Sequence, residues 1–203
     1  MATELILIRH AETEWNKESK YQGHQDIKLN EKGKIQSVKL GNYPSLKEID
    51  IIYCSDLKRA YNTALAVNKF HNVCIRQESG LREINFGEWE GMTYSDVEKE
   101  YPDLLHNWID DPATTDPPGG EKLHDFMDRI VATFREIIKE NREQNITVVT
   151  HGGVIKLYLT YLLQMPLTNQ WQFNISSTGI SIINIYGEKA IIQSLNNTVH
   201  LSD

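Results

Sequence analysis

Two apolar segments of this chain end abruptly in histidine. Leu5-Ile6-Leu7-Ile8 runs into Arg9 and His10, and Ala11-Glu12-Thr13 and then Asn16 follow. Far downstream, Ile146-Thr147-Val148-Val149-Thr150 runs into His151-Gly152-Gly153. Continuous apolar runs of this length read as strands covered on both faces. In open α/β sheets, ligands bind beyond the carboxyl ends of the strands. Two such strands therefore aim two imidazoles at one ligand. Arg9 ends the first strand, and Arg59 follows the second in Cys54-Ser55-Asp56-Leu57-Lys58-Arg59-Ala60. Arginine holds a phosphate dianion through planar bidentate hydrogen bonds. An imidazole beside two guanidinium groups resists protonation and stays nucleophilic near neutral pH. The leaving alkoxide needs a proton. Glu83, in Leu81-Arg82-Glu83-Ile84-Asn85-Phe86-Gly87, follows the third strand, where it can supply one.

Six strands are expected, at about 3–9, 50–54, 73–77, 146–150, 179–186 and 189–195. Helical patterns lie between them, near 30–42 with Asn30 as N-cap, 57–70, 120–142 and 153–164. Alternation of strand and helix implies a parallel sheet with right-handed crossovers. Only Gly187-Glu188 separates the last two strands, which suits a type II′ hairpin and makes that pair antiparallel. The expected fold is α/β: three layers, α/β/α, around a mixed, mostly parallel six-stranded sheet. Residues 1–203 read as one domain, with 88–119 an inserted, lid-like excursion. Within it Thr93-Tyr94-Ser95-Asp96 signals a short capped helix, and Pro117-Pro118-Gly119-Gly120 a returning loop.

The net charge of −7 argues against nucleic acid or an anionic membrane as partner. It leaves room for a small anionic metabolite, since a few arginines in a cleft outweigh a diffuse acidic surface. No apolar run is long enough to span a membrane, and the start lacks the features of a secretory signal. Cys54 and Cys74 both sit in apolar, strand-like runs and read as reduced core thiols of a cytoplasmic protein. Oligomeric state is not legible.

Plainer readings hold elsewhere. His24, His71, His106, His124 and His200 are expected to be structural. Glu12, Glu14, Glu88 and Glu90 rival Glu83 as acid, and the plainer reading of Arg82 is that it could simply pair with one of them. Trp89, Tyr94, Tyr101 and Trp108 are expected to form a small core of the excursion's own, with a minority lining the pocket mouth.

The combined motifs resemble the histidine phosphatase superfamily, in its phosphoglycerate-mutase-like branch. They are Arg9-His10-Ala11-Glu12-Thr13 with Asn16, Tyr21-Gln22-Gly23 with Leu29 to Gly33, and Cys54 to Ala60 with Thr63-Ala64. Leu81 to Gly91 and Val149-Thr150-His151-Gly152-Gly153 complete the set, in the family's order. The resemblance implies that His10 is the nucleophile that becomes phosphohistidine. Arg9, Arg59 and His151 form the phosphate pocket, and Glu83 is the proton donor and later the base. Asn16, Gln22 and the Gly152 amide assist phosphate or substrate binding. No metal or other cofactor is implied. Ala11 stands where the family usually has glycine, which is tolerable if the backbone there is ordinary. The 86–91 stretch and the 117–121 turn look most like α-ribazole phosphatases and related broad-specificity phosphatases. A cofactor-dependent phosphoglycerate mutase is the alternative, disfavoured because mutases of this family tend to be longer. A non-catalytic phosphoester-binding protein is a third reading; it would be expected to have lost His10, Glu83 or an arginine, and all are present.

Overall fold

The computed structural model describes residues 2–46 and 48–202. Its strands are β1 (Thr3–Arg9), β2 (Ile51–Cys54), β3 (Cys74–Gln77), β4 (Asn145–Thr150), β5 (Ile180–Tyr186) and β6 (Lys189–Asn197). They form one six-stranded sheet in the order β3-β2-β4-β1-β5-β6. β1 to β4 are parallel, and β5 runs antiparallel to both of its neighbours, β1 and β6. The β5–β6 turn is the expected two-residue hairpin. Gly187 takes the positive φ (+63°) that its first position demands, while Glu188 does not.

Between and after the strands lie α1 (Glu14–Lys17), α2 (Glu31–Gly41), α3 (Lys58–His71), α4 (Tyr94–Glu100), α5 (Pro102–Asp110), α6 (Leu123–Glu140) and α7 (Gly152–Leu162). The caps read from sequence are present. Asn30 accepts from the Gly33 amide at 2.8 Å, and Thr93 and Asp96 form a reciprocal capping box. α6 begins at Leu123 rather than 120, because the Pro117 to Gly120 turn is closed by the Gly120 amide donating to the Pro117 carbonyl.

The apolar runs are continuous because both faces of the sheet are covered. Side chains alternate across a strand. Leu5 and Leu7 enter a core shared with Ile130 and Phe134 of α6 and Val154 and Ile155 of α7. Ile6 and Ile8 enter the opposite core, with Leu40 of α2 and Ala60, Ala64 and Val67 of α3. The β1–β4 register sets Arg9 opposite Thr150, and the His10 amide donates to the Thr150 carbonyl at 2.8 Å. The two histidines that follow therefore leave neighbouring strands side by side.

Two expectations fail. Cys74 is exposed, because β3 is the outer strand with little packed over it; only Cys54 is a core thiol. The excursion's aromatics do not form a core of their own. Trp89 and Trp108, with Val97 and Leu105, are buried in the same cluster as Leu5 and Phe134, while Tyr94 is exposed. Their large apolar surfaces are covered by the main core.

Candidate active site

His10 is 3% exposed, and its Nδ1 lies 2.8 Å from the Ala11 carbonyl. A carbonyl oxygen only accepts, so Nδ1 carries the hydrogen. In a neutral ring that leaves the lone pair on Nε2. Burial, then the charges of Arg59 and Arg9, push this imidazole well below its ordinary pKa. Ala11 is buried and its backbone is not in the left-handed region, so its methyl is accommodated without strain.

The second ring has the opposite tautomer. His151 Nδ1 receives the Arg59 Nε–H at 3.2 Å. Arginine only donates, so Nδ1 accepts and the hydrogen sits on Nε2. That Nε2 is buried and has no partner among the described residues. Burial, Arg59, His10 and Arg9, in that order, hold His151 well below the usual range. The rings face each other at 5.2 Å between centroids and 62°. One presents a lone pair and the other an N–H.

Arg59 is fully buried at the start of α3. It donates to His151, to the Gln25 carbonyl and to the Gly23 carbonyl, the last two at 2.7 Å. Three of its five N–H groups are thus spent on the protein, leaving two for a ligand. Arg9 donates to the Ile175 carbonyl at 2.6 Å, while its Nε is buried without a partner. Burial lowers its pKa, against the raising effect of Glu83. Orphaned buried donors cost free energy. Two of them converging with a free imidazole lone pair make a place for an anionic acceptor.

Glu83 completes the group. Its Oε2 accepts from the Gly153 amide at 3.0 Å and its Oε1 from Ile84 at 3.1 Å. A Cβ at 153 would meet Glu83 Oε1, so any side chain there would have to displace the carboxylate from this position. The rival carboxylates are occupied elsewhere. Glu12 binds Lys32 and Asn30, Glu14 binds Lys17, and Glu88 accepts from Tyr101. Glu90 ties two loops together, accepting from the amides of His24, Gln25 and Phe86. Arg82 pairs with none of these; it grips Asp56 through two hydrogen bonds.

Asn16 and Gln22 are both held by Thr13. Asn16 is the third residue of the α1 capping box, its Oδ1 3.0 Å from the Thr13 amide. The buried Thr13 hydroxyl lies 2.9 Å from Gln22 Oε1, which turns the Gln22 amide nitrogen away as a free donor. Gly152 opens α7, where free amides and the helix dipole favour an anion. Arg129, which drew no role from the sequence, and His24, expected to be structural, both hold the Glu83 backbone. Arg129 of α6 donates to the carbonyls of Gly80 and Arg82, and is itself clamped by Glu121. His24 Nε2 donates to the Glu83 carbonyl at 2.9 Å.

A cleft of about 250 Å³ opens from Arg9, Glu83 and Gly152. Its apolar lining is Ile84, Phe86, Trp108, Leu123 and Phe126, and Lys156, Gln170, Trp171 and Asn174 also line it, with Trp171 edge-on to Trp108. His10, Arg59 and His151 do not line this cleft; they sit beside Arg9 and Gly152, deeper in the protein.

The buried neutral rings have a consequence for stability. In the unfolded chain, histidine titrates near 6.5. Below that pH, unfolding takes up protons that the folded His10 and His151 refuse. Their contribution is complete above the unfolded pKa and is lost as pH falls, by up to about 1.4 kcal/mol per pH unit for each ring. Urea midpoints should fall between pH 7 and pH 5, and the His10→Asn/His151→Asn double variant should show a shallower slope. Equal slopes in the two proteins would mean that the rings are not held neutral.

The profile of the histidine phosphatase superfamily (branch 1) matches residues 5–198. Phosphoserine phosphatase 1 of Hydrogenobacter thermophilus is 35% identical over 199 residues, covering 98% of this chain and 94% of that protein. The adenosylcobalamin/alpha-ribazole phosphatase of Escherichia coli is 31% identical over 193 residues, 95% of each chain. The structure of Bacillus stearothermophilus YhfR has a TM-score of 0.93 at 31% identity, covering 99% of this chain and 100% of that one. No helix among the described residues is long and apolar enough to cross a membrane. The paired histidines, the two arginines and the carboxylate thus lie within a profile match running from β1 to just past β6, and the chain belongs to branch 1 of the histidine phosphatase superfamily.

Proposed function

We propose that the protein is a metal-independent phosphomonoesterase that passes the phosphoryl group through His10. One observation carries the reading. His10 Nδ1–H is tied to the Ala11 carbonyl, leaving an Nε2 lone pair among unpartnered buried donors on Arg9 and His151. In the first step His10 Nε2 attacks phosphorus, the P–O bond to the alcohol breaks, and Glu83 gives its proton to the leaving oxygen. Arg9, Arg59, the His151 Nε2–H and the Gly152 amide receive the charge on the equatorial oxygens. In the second step Glu83 takes a proton from water, the oxygen bonds to phosphorus, and the P–N bond breaks. Inorganic phosphate leaves, His10 is again neutral and Glu83 again protonated.

The substrate is a small phosphorylated metabolite. The aromatic wall of Phe86, Trp108 and Phe126 suits a flat ring and supports α-ribazole 5′-phosphate as a candidate. The relatives named for phosphoserine support a smaller, acidic alcohol. The free thiols at Cys54 and Cys74 suit the reducing cytoplasm. The test is phosphate release from p-nitrophenyl phosphate in the presence of EDTA. Turnover is expected, and none in the intact chain would overturn the proposal. 3-Phosphoglycerate with a trace of 2,3-bisphosphoglycerate should give free phosphate; isomerisation instead would make the protein a mutase.

A further inference from the structure

Lys156 stands four residues after Gly152 on α7, so both fall on one face of the helix. Its side chain is partly buried, and its ammonium lies 5.6 Å from the centre of the Trp171 ring. It makes no ion pair and no side-chain hydrogen bond among the described residues. The chain has 28 acidic residues, yet none of those described forms an ion pair with this lysine. Glu83 is the acidic group felt most at Lys156, but both its oxygens already accept backbone amides.

A second, independent feature lines the same cleft. Gln170 is 4% exposed, lines the cleft, and its Nε2 is buried with no partner. A buried amide donor without an acceptor is costly unless a ligand supplies one. Asn174 offers another side-chain amide beside it. A half-buried cation and an orphaned donor thus border a cleft whose inner end is the phosphate site. The cleft as a whole, its Arg9, Glu83 and Gly152 end included, is about 250 Å³, below the roughly 300 Å³ at which pockets begin to hold drug-sized ligands.

We propose that Lys156 and Gln170 form a second anion subsite, which selects phosphate monoesters of small hydroxy acids by binding the carboxylate of the alcohol part. The inference rests on the phosphomonoesterase reading and extends it to a substrate class. The phosphate is held at the strand ends. The carboxylate, two or three atoms away, takes a hydrogen bond from the Lys156 ammonium and one from the Gln170 amide. Trp171, under the lysine, keeps the ammonium over the cleft by a cation–π contact.

The test uses matched esters that differ in the carboxylate: O-phosphoserine against phosphoethanolamine, and 3-phosphoglycerate against glycerol 3-phosphate. p-Nitrophenyl phosphate reports whether the hydrolytic site works at all. The intact protein should favour the carboxylated member of each pair in kcat/KM. Lys156→Met should cut that preference about 100-fold, mostly through KM, since the lost contact is a charge-assisted hydrogen bond. Lys156→Arg should keep most of it, and Gln170→Leu should lower it about tenfold. A Lys156→Met variant that loses activity equally on both members of a pair overturns the subsite. So does an intact protein that hydrolyses p-nitrophenyl phosphate but shows no preference for the acids. An intact protein that hydrolyses none of the five esters overturns the phosphomonoesterase reading and takes the subsite with it.

Discussion

In Glu83→Gln, p-nitrophenyl phosphate is expected to give a burst of nitrophenolate stoichiometric with active sites, followed by turnover slowed about 10²–10⁴-fold. Nitrophenolate leaves without a proton, so the first step needs no acid. The second step needs a base for water, and the carboxylate that Gly153 and Ile84 orient is the group placed for that work. Phosphohistidine should therefore accumulate, acid-labile and detectable by mass. An alkyl phosphate, whose alkoxide must be protonated to leave, should be slow from the first turnover and show no burst. His10→Ala should show neither burst nor turnover, with a loss of at least about 10⁴-fold. A burst that survives in His10→Ala would remove His10 as nucleophile. Wild-type turnover in Glu83→Gln would remove Glu83 as acid and base.

Arg59→Ala should be costly to both stability and activity. The guanidinium is fully buried and satisfies the Gly23 and Gln25 carbonyls as well as His151 Nδ1. Removing it leaves buried acceptors unpaired, at about 1–3 kcal/mol each. A total near 4 kcal/mol would lower the melting temperature by roughly 8–16 °C in a chain of this size. It also frees His151 to adopt either tautomer, so the Nε2–H is no longer assured. Activity should fall by at least about 10³-fold, as for loss of a transition-state donor. Arg59→Lys keeps the charge but cannot reach three acceptors at fixed angles. It should recover part of the melting temperature and little of the activity. Thermal melts and kcat/KM on p-nitrophenyl phosphate check both. An Ala variant that melts with the parent would show that the guanidinium carries none of the 23–25 loop.

The strands and helices were legible because each obeys a local rule. The runs at 5–8 and 51–54 are apolar throughout, and that at 146–150 is broken only by buried threonines, since two helical layers cover them, and Asn30 and Thr93 cap the helices they precede. The same logic brought His10 and His151 forward as candidates, and the structure sets their rings 5.2 Å apart at the ends of neighbouring strands. What stayed hidden depends on contacts between distant segments. Arg129 lies in the amphipathic pattern of α6, and nothing local reveals that it reaches the carbonyls of Gly80 and Arg82. Glu90 looked like a competing acid, whereas it fastens the 24–25 segment to Phe86. Arg82 chose Asp56, twenty-six residues away, over the nearer glutamates. Cys74 misled because an apolar strand at a sheet edge reads like one at its centre. Trp89 and Trp108 misled because a segment that interrupts a fold need not be packed apart from it.

The cleft joins two parts of different origin. The end proposed for phosphate is made by β1, β4 and the first turn of α7, which the central sheet cannot spare. The end proposed for the alcohol part is lined by Trp108 on α5 and by Gln170, Trp171 and Asn174 on the segment after α7. Trp171 and Asn174 are largely exposed, so changes there disturb little of the core. Such an enzyme can acquire a new metabolite by drift along its rim while the reaction it performs is inherited intact. A lineage of this kind should diversify in substrate far faster than in chemistry.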